Sequence, residues 1–356
     1  MPRILLSAGE HSGDRLGAGL VEALRGTGLE LEFVGLVGPK MRDVGVRAVA
    51  NAECLNVMGY AEVLWSMPRI LQVYWKVQAA LHASVDLLVV IDAPDFNIRL
   101  ARKAHSLGIP VVFLGSPQVW AWRGERAEEI ARIADEVLCF FPFEPEYYRK
   151  YGGEARWIGH PVASLISDQS TRGAGLALLP GSRRQELQHL GPVMAKIAER
   201  WTDTTGTESH LACAPGVSEV LFKPFGPDVR RHGDVPSAIQ HAAVALVCSG
   251  TATLEVSLLG VPQVVVYKTS AISYRLAKRK MPGVSHIALP NLLAEPFVPE
   301  FVQDFEMEDV LSALLEAHAS DAQRSGRVDV RRAVSGGAHC EAAERIVHWL
   351  RAAQAG

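Results

Sequence analysis

The chain has 356 residues, of which 48% are hydrophobic and 21% charged, a composition typical of a globular protein with about two domains. Its formal net charge of −3 excludes a broad basic surface for sequence-blind binding of nucleic acid. The five cysteines are scattered and form no CxxC pair, which excludes a disulfide framework and a zinc ribbon and favours a reducing, cytoplasmic setting. The sequence predicts neither a membrane span nor a signal peptide.

Short apolar runs alternate with helical patterns in the first half of the chain. The runs are apolar on both faces, as strands in a parallel sheet covered by helices must be. They are Arg3–Ser7, Leu31–Val37, Asp86–Ile91, Pro110–Leu114 and Glu136–Phe140. Helices are predicted between them, including Leu16–Leu24 and a helix that Pro68 begins and that runs to Ala83. This alternation predicts a doubly wound α/β domain.

A second series of the same kind follows a polar, glycine-containing linker. Its predicted strands are Leu176–Leu179, Ser209–Cys213, Val244–Cys248 and Gln263–Tyr267, and the pattern is wholly helical beyond about Glu308. We therefore predict one domain at 1–163 and another at 164–337. Ligands are expected in a cleft that faces the carboxyl ends of both sets of strands.

Polar residues follow two predicted strands of the first domain. The first strand leads into SAGEHSGD at 7–14, where the glycines permit close approach of a ligand, or where Ser12 or Asp14 simply caps the next helix. The strand that ends at Ile91 leads into DAPDFN at 92–97. Asp95 fits the cap of the helix that Pro94 begins, so Asp92 is the better candidate for a general base.

The second domain has two strand–turn–helix junctions suited to a phosphate group. The segment LLPGSRR at 178–184 places a glycine turn and two arginines at a helix start, and CSGTATLE at 248–255 offers amides and hydroxyls. Glu255 could stabilise the helix dipole or hold ribose hydroxyls. The sequence contains no GxGxxG, GxxxxGK, HExxH or GxSxG motif and no Asp-x-Asp pair. It therefore predicts an enzyme that needs neither metal nor cofactor and binds a phosphate-bearing ligand.

Taken together, these motifs closely resemble those of bacterial lipid-A-disaccharide synthases over essentially the whole chain. The resemblance rests on nine segments in the family's order: AGEHSGD at 8–14, VMG at 57–59, IDAPDFN at 91–97, SPQVWAW at 116–122, FPFE at 141–144, GHP at 159–161, LPGSR at 179–183, SGTATLE at 249–255 and LPNLL at 289–293. It implies a GT-B fold of two Rossmann-like domains, with a final helix at 338–354 that packs back on the first domain.

The resemblance also implies the reaction and its site residues. The sugar of UDP-2,3-diacylglucosamine would pass, with inversion, to 2,3-diacylglucosamine 1-phosphate (lipid X), giving a β-1,6-linked disaccharide 1-phosphate and UDP. Asp92 would take the proton of the acceptor's 6-hydroxyl. Other acceptor-side residues would be Gly9, Glu10, Ser12, Asp14, Asp95, Asn97, Ser116 and Trp120. The UDP-side residues would be Gly181, Ser182, Arg183, Ser249, Gly250, Thr251, Glu255, Asn291 and Gln303.

Two alternatives stay open at this point. His11 stands where the family usually has a small residue, and a histidine in that loop is the base in some other GT-B transferases, so His11 is the rival base. The rival functions are another GT-B enzyme of UDP-sugars, such as a UDP-N-acetylglucosamine 2-epimerase, and a non-catalytic nucleotide-binding homologue.

Because both implied substrates carry acyl chains, we expect a peripheral protein on the cytoplasmic face of the inner membrane. No nucleic-acid partner is expected, and a homodimer is left open. The candidate membrane contact lies within 58–77, a segment in which the basic Arg69 and Lys76 would meet anionic headgroups. Its members are Met58, Leu64, Trp65, Met67, Leu71 and Trp75. The alternative is a helix buried against the sheet.

Overall fold

The structure is a computed structural model that describes residues 1–55, 60–117, 119, 125–165, 173–214, 217–280 and 286–355. The chain divides into two compact units, Met1–Pro161 with Gly336–Gly356, and Val162–Ser335. Each unit is a parallel sheet covered by helices, which confirms the predicted fold class. Among the described residues, no helix is both long enough and apolar enough to span a membrane.

The strands are β1 (Arg3–Ala8), β2 (Glu32–Val37), β3 (Arg47–Asn51), β4 (Leu87–Ile91), β5 (Val111–Leu114), β6 (Glu136–Cys139), β7 (Ala155–Trp157), β8 (Gly175–Leu179), β9 (Ser209–Ala212), β10 (Arg230–His232), β11 (Ala242–Cys248), β12 (Gln263–Tyr267) and β13 (Glu300–Val302). The helices are α1 (His11–Arg25), α2 (Pro39–Asp43), α3 (Tyr60–Leu81), α4 (Pro94–Ser106), α5 (Glu125–Ile133), α6 (Glu144–Arg149), α7 (Arg184–Thr205), α8 (Val235–Ile239), α9 (Thr251–Leu258), α10 (Ala271–Lys280), α11 (Leu289–Leu293), α12 (Met307–Ala319), α13 (Arg324–Val334) and α14 (Ala338–Ala355). Short 3₁₀ turns lie at Ala52–Cys54, Pro161–Leu165 and Glu219–Phe225.

The strand order of the first sheet is β3-β2-β1-β4-β5-β6-β7, and neighbouring strands are parallel. The order reverses between β1 and β4, which lie side by side with Ala8 opposite Ile91. Such a reversal opens a crevice at the carboxyl ends of the two strands. The turns at 9–13 and 92–94 therefore meet at this point of the sheet.

The second sheet repeats this plan in the order β10-β9-β8-β11-β12-β13. Here the reversal lies between β8 and β11, with Leu179 opposite Val247. The two turns that follow these strands, 180–183 and 249–250, are consequently neighbours. They are the two junctions that the sequence predicts to be suited to phosphate.

The nine predicted strands are all present, whereas the structure adds β3, β7, β10 and β13. These four lie at the outer edges of the two sheets. The prediction that Pro68 begins a helix is wrong, because α3 begins at Tyr60 and runs through Pro68. Burial of Val73, Val77 and Leu81 on one side of α3 offsets the backbone hydrogen bond that a proline removes.

A buried carboxylate fastens the last helix to the first unit. Glu136 at the start of β6 accepts hydrogen bonds from Arg345 Nε at 2.9 Å to each carboxylate oxygen and from Trp349 Nε1 at 2.7 Å. Arg345 and Trp349 both lie on α14, which also packs against α1. The C-terminal residues thus complete the core that covers one face of the first sheet.

We expect Glu136→Gln to lower the free energy of unfolding by about 2 kcal/mol. Removing one partner of a fully buried pair costs about 3–5 kcal/mol, but the Arg345 side chain retains some access to water, which lessens the loss. Chemical denaturation would measure the change. Glu128→Gln is the matched control, because the Glu128–Arg132 pair on α5 is exposed and should contribute little. Equal stabilities of the two variants would contradict this role for Glu136.

Candidate active site

The carboxylate of Asp92 lies against the turn that joins β1 to α1. The Gly9 amide donates to Asp92 Oδ1 at 2.7 Å, and the Glu10 amide donates to Oδ2 at 3.2 Å. A Cβ atom added at Gly13 would lie 1.7 Å from Asp92 Oδ2, so only glycine leaves room for the carboxylate there. The amide groups and the N-terminal end of α1 both favour a negative charge at this position.

The backbone at Asp92 is bent sharply to bring this about. Asp92 and Ala93 have φ values of 53° and 39°, in the left-handed region that side chains other than glycine rarely adopt. Two consecutive residues of this kind turn the chain directly from β4 into α4. Strained backbone of this kind persists where the surrounding structure holds it, and it is concentrated at functional sites.

Burial raises the pKa of Asp92 from its ordinary value of 3.8 to about 8, and the nearby Glu10 carboxylate acts in the same direction. The hydrogen bonds from the amides of Gly9 and Glu10 oppose this rise without cancelling it. A carboxylate with a pKa near neutrality is a much stronger base than an ordinary aspartate. Asp92 can therefore take a proton from a hydroxyl group at this edge of the sheet.

Asn97 does not lie at a surface, contrary to its prediction as an acceptor contact. Its side chain is fully buried in the first turn of α4. Its Nδ2 donates to the carbonyl oxygens of Ile91, Asp92 and Ser7 at 2.9, 2.9 and 3.1 Å. Its Oδ1 accepts from the Ser7 hydroxyl at 2.6 Å. The amide thus joins the ends of β1 and β4, and Ser7 is a partner that the sequence did not indicate.

Asp14 and Asp95 also differ from their predicted roles. Asp14 is buried and accepts hydrogen bonds from the amides of Gly38, Lys40 and Met41 at 2.8–3.0 Å, so it caps α2 rather than facing an acceptor. Asp95 is not the cap of α4, because the N-cap is Ala93. Its side chain is 78% exposed and pairs with Arg126.

The other predicted acceptor-side residues, and the rival base His11, differ in exposure and in hydrogen-bond partners. Glu10, His11 and Ser12 are exposed at the start of α1, and no hydrogen bond ties the His11 ring to Asp92 among the described contacts. The Ser116 hydroxyl lies 2.7 Å from that of buried Tyr148, which engages it within the unit. Trp120 lies outside the described residues.

In the second unit, a carboxylate of the chain itself occupies the predicted phosphate turn. Glu186 Oε2 accepts hydrogen bonds from the amides of Ser182 and Arg183 at 3.2 Å each, and Glu186 Oε1 lies 3.2 Å from Arg183 Nη1. Gly181, with φ of 100°, leaves room for this carboxylate, since a Cβ there would lie 2.3 Å from Glu186 Oε2. Sequence reasoning missed Glu186, although a glutamate three residues after a helix N-cap is a known capping signal.

The neighbouring junction presents a second helix start. The Ser249 hydroxyl donates a hydrogen bond to the Ile287 carbonyl oxygen at 2.7 Å. Gly250 is the N-cap of α9 and Thr251 is its exposed first residue. Glu255 lies half-buried in the second turn of this helix. The pairing of β8 with β11 places Ser249, Gly250 and Thr251 next to the turn at 180–183.

Asn291 and Gln303 hold the backbone of the second unit together. The Asn291 amide donates to the Val298 carbonyl and to Glu300, and its oxygen accepts from the amides of Phe297 and Val298, all at 2.6–2.9 Å. Gln303 pairs with both the amide and the carbonyl of Thr269. These bonds give both residues a structural role, and their contact with UDP stays a prediction.

The described part of α3 has two apolar stripes. Val73, Val77 and Leu81 are buried, whereas Met67, Leu71 and Trp75 are exposed, Trp75 by 61%. Residues spaced by four lie on one side of a helix, so the exposed three form a continuous stripe. Met58 lies outside the described residues, as do the side chains of Leu64 and Trp65.

Within the part of the chain that the structure describes, no group of three or more His, Cys, Asp or Glu side chains is arranged to hold a metal ion.

Known proteins match this chain over almost its whole length. Residues 4–347 match the model of a protein family described as Lipid-A-disaccharide synthetase. The lipid-A-disaccharide synthase of Alkalilimnicola ehrlichii is 38% identical over 353 residues, which cover 92% of this chain and 92% of that protein.

Solved structures share the fold at much lower identity. The calicheamicin glycosyltransferase CalG4 has a TM-score of 0.62 at 16% identity, covering 98% of each chain. The UDP-GlcNAc 2-epimerase of Neisseria meningitidis, solved with UDP-GlcNAc bound, has a TM-score of 0.59 at 11% identity, covering 98% of this chain and 99% of that one. Because a transferase and an epimerase both share this fold, the fold alone does not distinguish the two functions. The family match supports the transferase.

Proposed function

Because the chain belongs to the lipid-A-disaccharide synthetase family and is thus a glycosyltransferase, we propose that it joins UDP-2,3-diacylglucosamine to 2,3-diacylglucosamine 1-phosphate. The acceptor's 6-hydroxyl oxygen attacks the anomeric carbon of the donor sugar as its proton passes to a base. The bond from that carbon to the UDP phosphate oxygen breaks, and its electron pair leaves with UDP. Attack from the face opposite UDP inverts the anomeric carbon and gives the β-1,6 linkage.

The observation that carries this proposal is the position of the Asp92 carboxylate. It lies at the strand reversal of the first unit, it is half-buried, and its pKa is raised to about 8. A base must be unprotonated before it can act, so its active fraction grows as the pH rises toward 8. Once formed, the carboxylate is strongly basic because burial disfavours its charge. We assign Asp92 as the general base of the transfer, with Gly9, Glu10 and Ser12 beside the acceptor.

The donor diphosphate is assigned to the helix starts of the second unit. Arg183, whose side chain is 78% exposed, provides a positive charge, and the amides at 182–183 and at the start of α9 provide donors. Glu186 now occupies the first set of amides. A diphosphate and a carboxylate cannot share those amides, so we propose that the diphosphate displaces Glu186 and takes over its contact with Arg183. Glu255 is assigned to the ribose.

The exposed stripe of α3, Met67, Leu71 and Trp75, is assigned to the membrane surface. Substrates with acyl chains reside in the bilayer, so the enzyme needs an apolar surface that enters the interface. Arg69 and Lys76 are exposed beside the stripe and can meet anionic headgroups. We propose that the protein is peripheral on the cytoplasmic face of the inner membrane.

Incubation of the purified protein with labelled UDP-2,3-diacylglucosamine and the acceptor tests the activity directly. The labelled disaccharide 1-phosphate is the expected product. Formation of the epimeric UDP-sugar without acceptor would instead identify an epimerase, and binding without turnover would identify a non-catalytic homologue.

Asp92→Asn should lower kcat by about 10²–10⁴-fold, because a positioned general base contributes about that much. UDP affinity should be unchanged. In the parent enzyme kcat should rise with pH toward a limb near pH 8, set by the pKa of Asp92. Folding is checked at pH 9, where the variant should be at least as stable as the parent because it removes a buried charge.

Two variants serve as controls for this assignment. Asp95→Asn should affect kcat little, since its side chain is mostly exposed. His11→Ala tests the rival base and should be mild. Loss of turnover in His11→Ala together with full activity in Asp92→Asn would transfer the role of base to His11.

Arg183→Ala should weaken UDP binding about tenfold, toward the lower end of the value of a charge-assisted hydrogen bond because the arginine is exposed. Glu186→Gln should act in the opposite direction and strengthen UDP binding severalfold, since a neutral amide competes less well for the turn. Isothermal calorimetry measures both. Weaker binding in both variants would show that Glu186 supports the turn and is not displaced from it.

Leu71→Ser combined with Trp75→Ser should lower partitioning onto vesicles of zwitterionic and anionic phospholipid by at least about tenfold, given about 1.5–3 kcal/mol for burial of each large apolar side chain. UDP affinity should be unaffected. Val220→Ser is the matched control, because Val220 is 62% exposed on the second unit. Co-sedimentation of the double variant equal to that of the parent would remove α3 from the membrane contact.

A further inference from the structure

We propose that Asn97 is the positioning residue of the transfer reaction: its buried amide holds the backbone turn from which Asp92 reaches the amides of Gly9 and Glu10. This inference rests on the proposed role of Asp92 as base. Asn97 itself contacts neither substrate, because its side chain has no exposed surface and its polar atoms are bonded within the first unit.

The turn needs such a restraint. A left-handed conformation is unfavourable for a residue with a side chain, and Asp92 and Ala93 adopt it in succession. Relaxation of either residue would swing the Asp92 side chain away from α1. Asn97 opposes this directly, because its Nδ2 donates to the Asp92 carbonyl and to the Ile91 carbonyl that precedes it, each at 2.9 Å.

The same amide also fixes the other side of the site. Asn97 Nδ2 donates to the Ser7 carbonyl at 3.1 Å, and the Ser7 hydroxyl donates to Asn97 Oδ1 at 2.6 Å. Ser7 lies on β1, two residues before Gly9, whose amide donates to the Asp92 carboxylate. Asn97 therefore sets the distance between the carboxylate and its donors from both strands. A misplacement of about 1 Å in such a site can lower the rate about 10²-fold.

A restraint that serves only stability and one that positions the base differ in what they change. Loss of a restraint that serves only stability lowers the melting temperature alone. Loss of a restraint that positions the base lets the Asp92 carboxylate move into water, where its charge is better solvated and it titrates at lower pH. The acid limb of the pH profile therefore moves only if Asn97 positions the base.

The test compares Asn97→Ala, Ser7→Ala and the control Gln323→Ala by kcat per folded enzyme, pH profile and UDP affinity. Gln323 is a buried amide in the second unit that bonds the amide and carbonyl of Gln263, so its loss should destabilise the fold in a comparable way. Asn97→Ala should lower kcat about 10–100-fold and shift the acid limb below that of the parent, with UDP affinity unchanged. Ser7→Ala should show the same shift with only a severalfold loss of kcat. Gln323→Ala should change neither kcat nor the acid limb of the pH profile.

An unchanged kcat and limb in folded Asn97→Ala would overturn the proposal and leave Asn97 a structural residue. If Asn97→Ala does not fold, Ser7→Ala decides the matter, and an unchanged limb in that variant overturns it equally. Failure of the proposed base is distinguished by Asp92→Asn: an active Asp92→Asn overturns both proposals, whereas an inactive Asp92→Asn beside an unaltered Asn97→Ala overturns only the positioning role.

Discussion

The reversal of strand order next to the first strand of each sheet determines which side chains of this chain can meet. In the first unit it brings the turn after β1 against the turn after β4, with Ala8 opposite Ile91. The Asp92 carboxylate can then reach the Gly9 amide, 83 residues away in sequence. In the second unit the same reversal brings together two helix starts. Glycine at 13 follows from this constraint, because a side chain there would collide with the Asp92 carboxylate.

Both units fill the helix start after their first strand with a carboxylate of their own. Asp92 does so at α1 and Glu186 at α7. The two differ in how they are held. Asp92 projects from a turn whose backbone is bonded to a buried amide, whereas Glu186 lies within its own helix, beside the exposed guanidinium of Arg183. A fixed carboxylate suits the proposed proton transfer from a bound hydroxyl, whereas the proposed entry of a diphosphate requires Glu186 to leave its amides.

The sequence predicts the interior of the fold better than its edges, and the place of the site better than the role of each residue. Strands such as Leu87–Ile91 are recognisable because they are buried on both faces, whereas β3, β7, β10 and β13 are short, partly exposed edge strands without an apolar run. Asp92 is predictable because it follows such a buried strand. The partners of Asp14, Asn97 and Asn291 are not, because these polar side chains bond backbone groups that only the folded chain brings near.

The site of the first unit is maintained at a cost to stability that the surrounding network must offset. The folded-state pKa of Asp92 lies above its ordinary value of 3.8, so between about pH 4 and 8 the folded chain binds more protons at this residue than the unfolded chain does. Its contribution to the free energy of unfolding therefore falls as the pH rises through that range. The left-handed turn at Asp92 and Ala93 adds a further cost. The buried hydrogen bonds of Asn97 to three carbonyl oxygens and to the Ser7 hydroxyl stabilise the folded state and so offset these two costs. They form only when β1, β4 and α4 are assembled. Because Asn97 is a neutral amide, it holds the backbone of this turn without lowering the pKa of Asp92, as a cation so close to the carboxylate would.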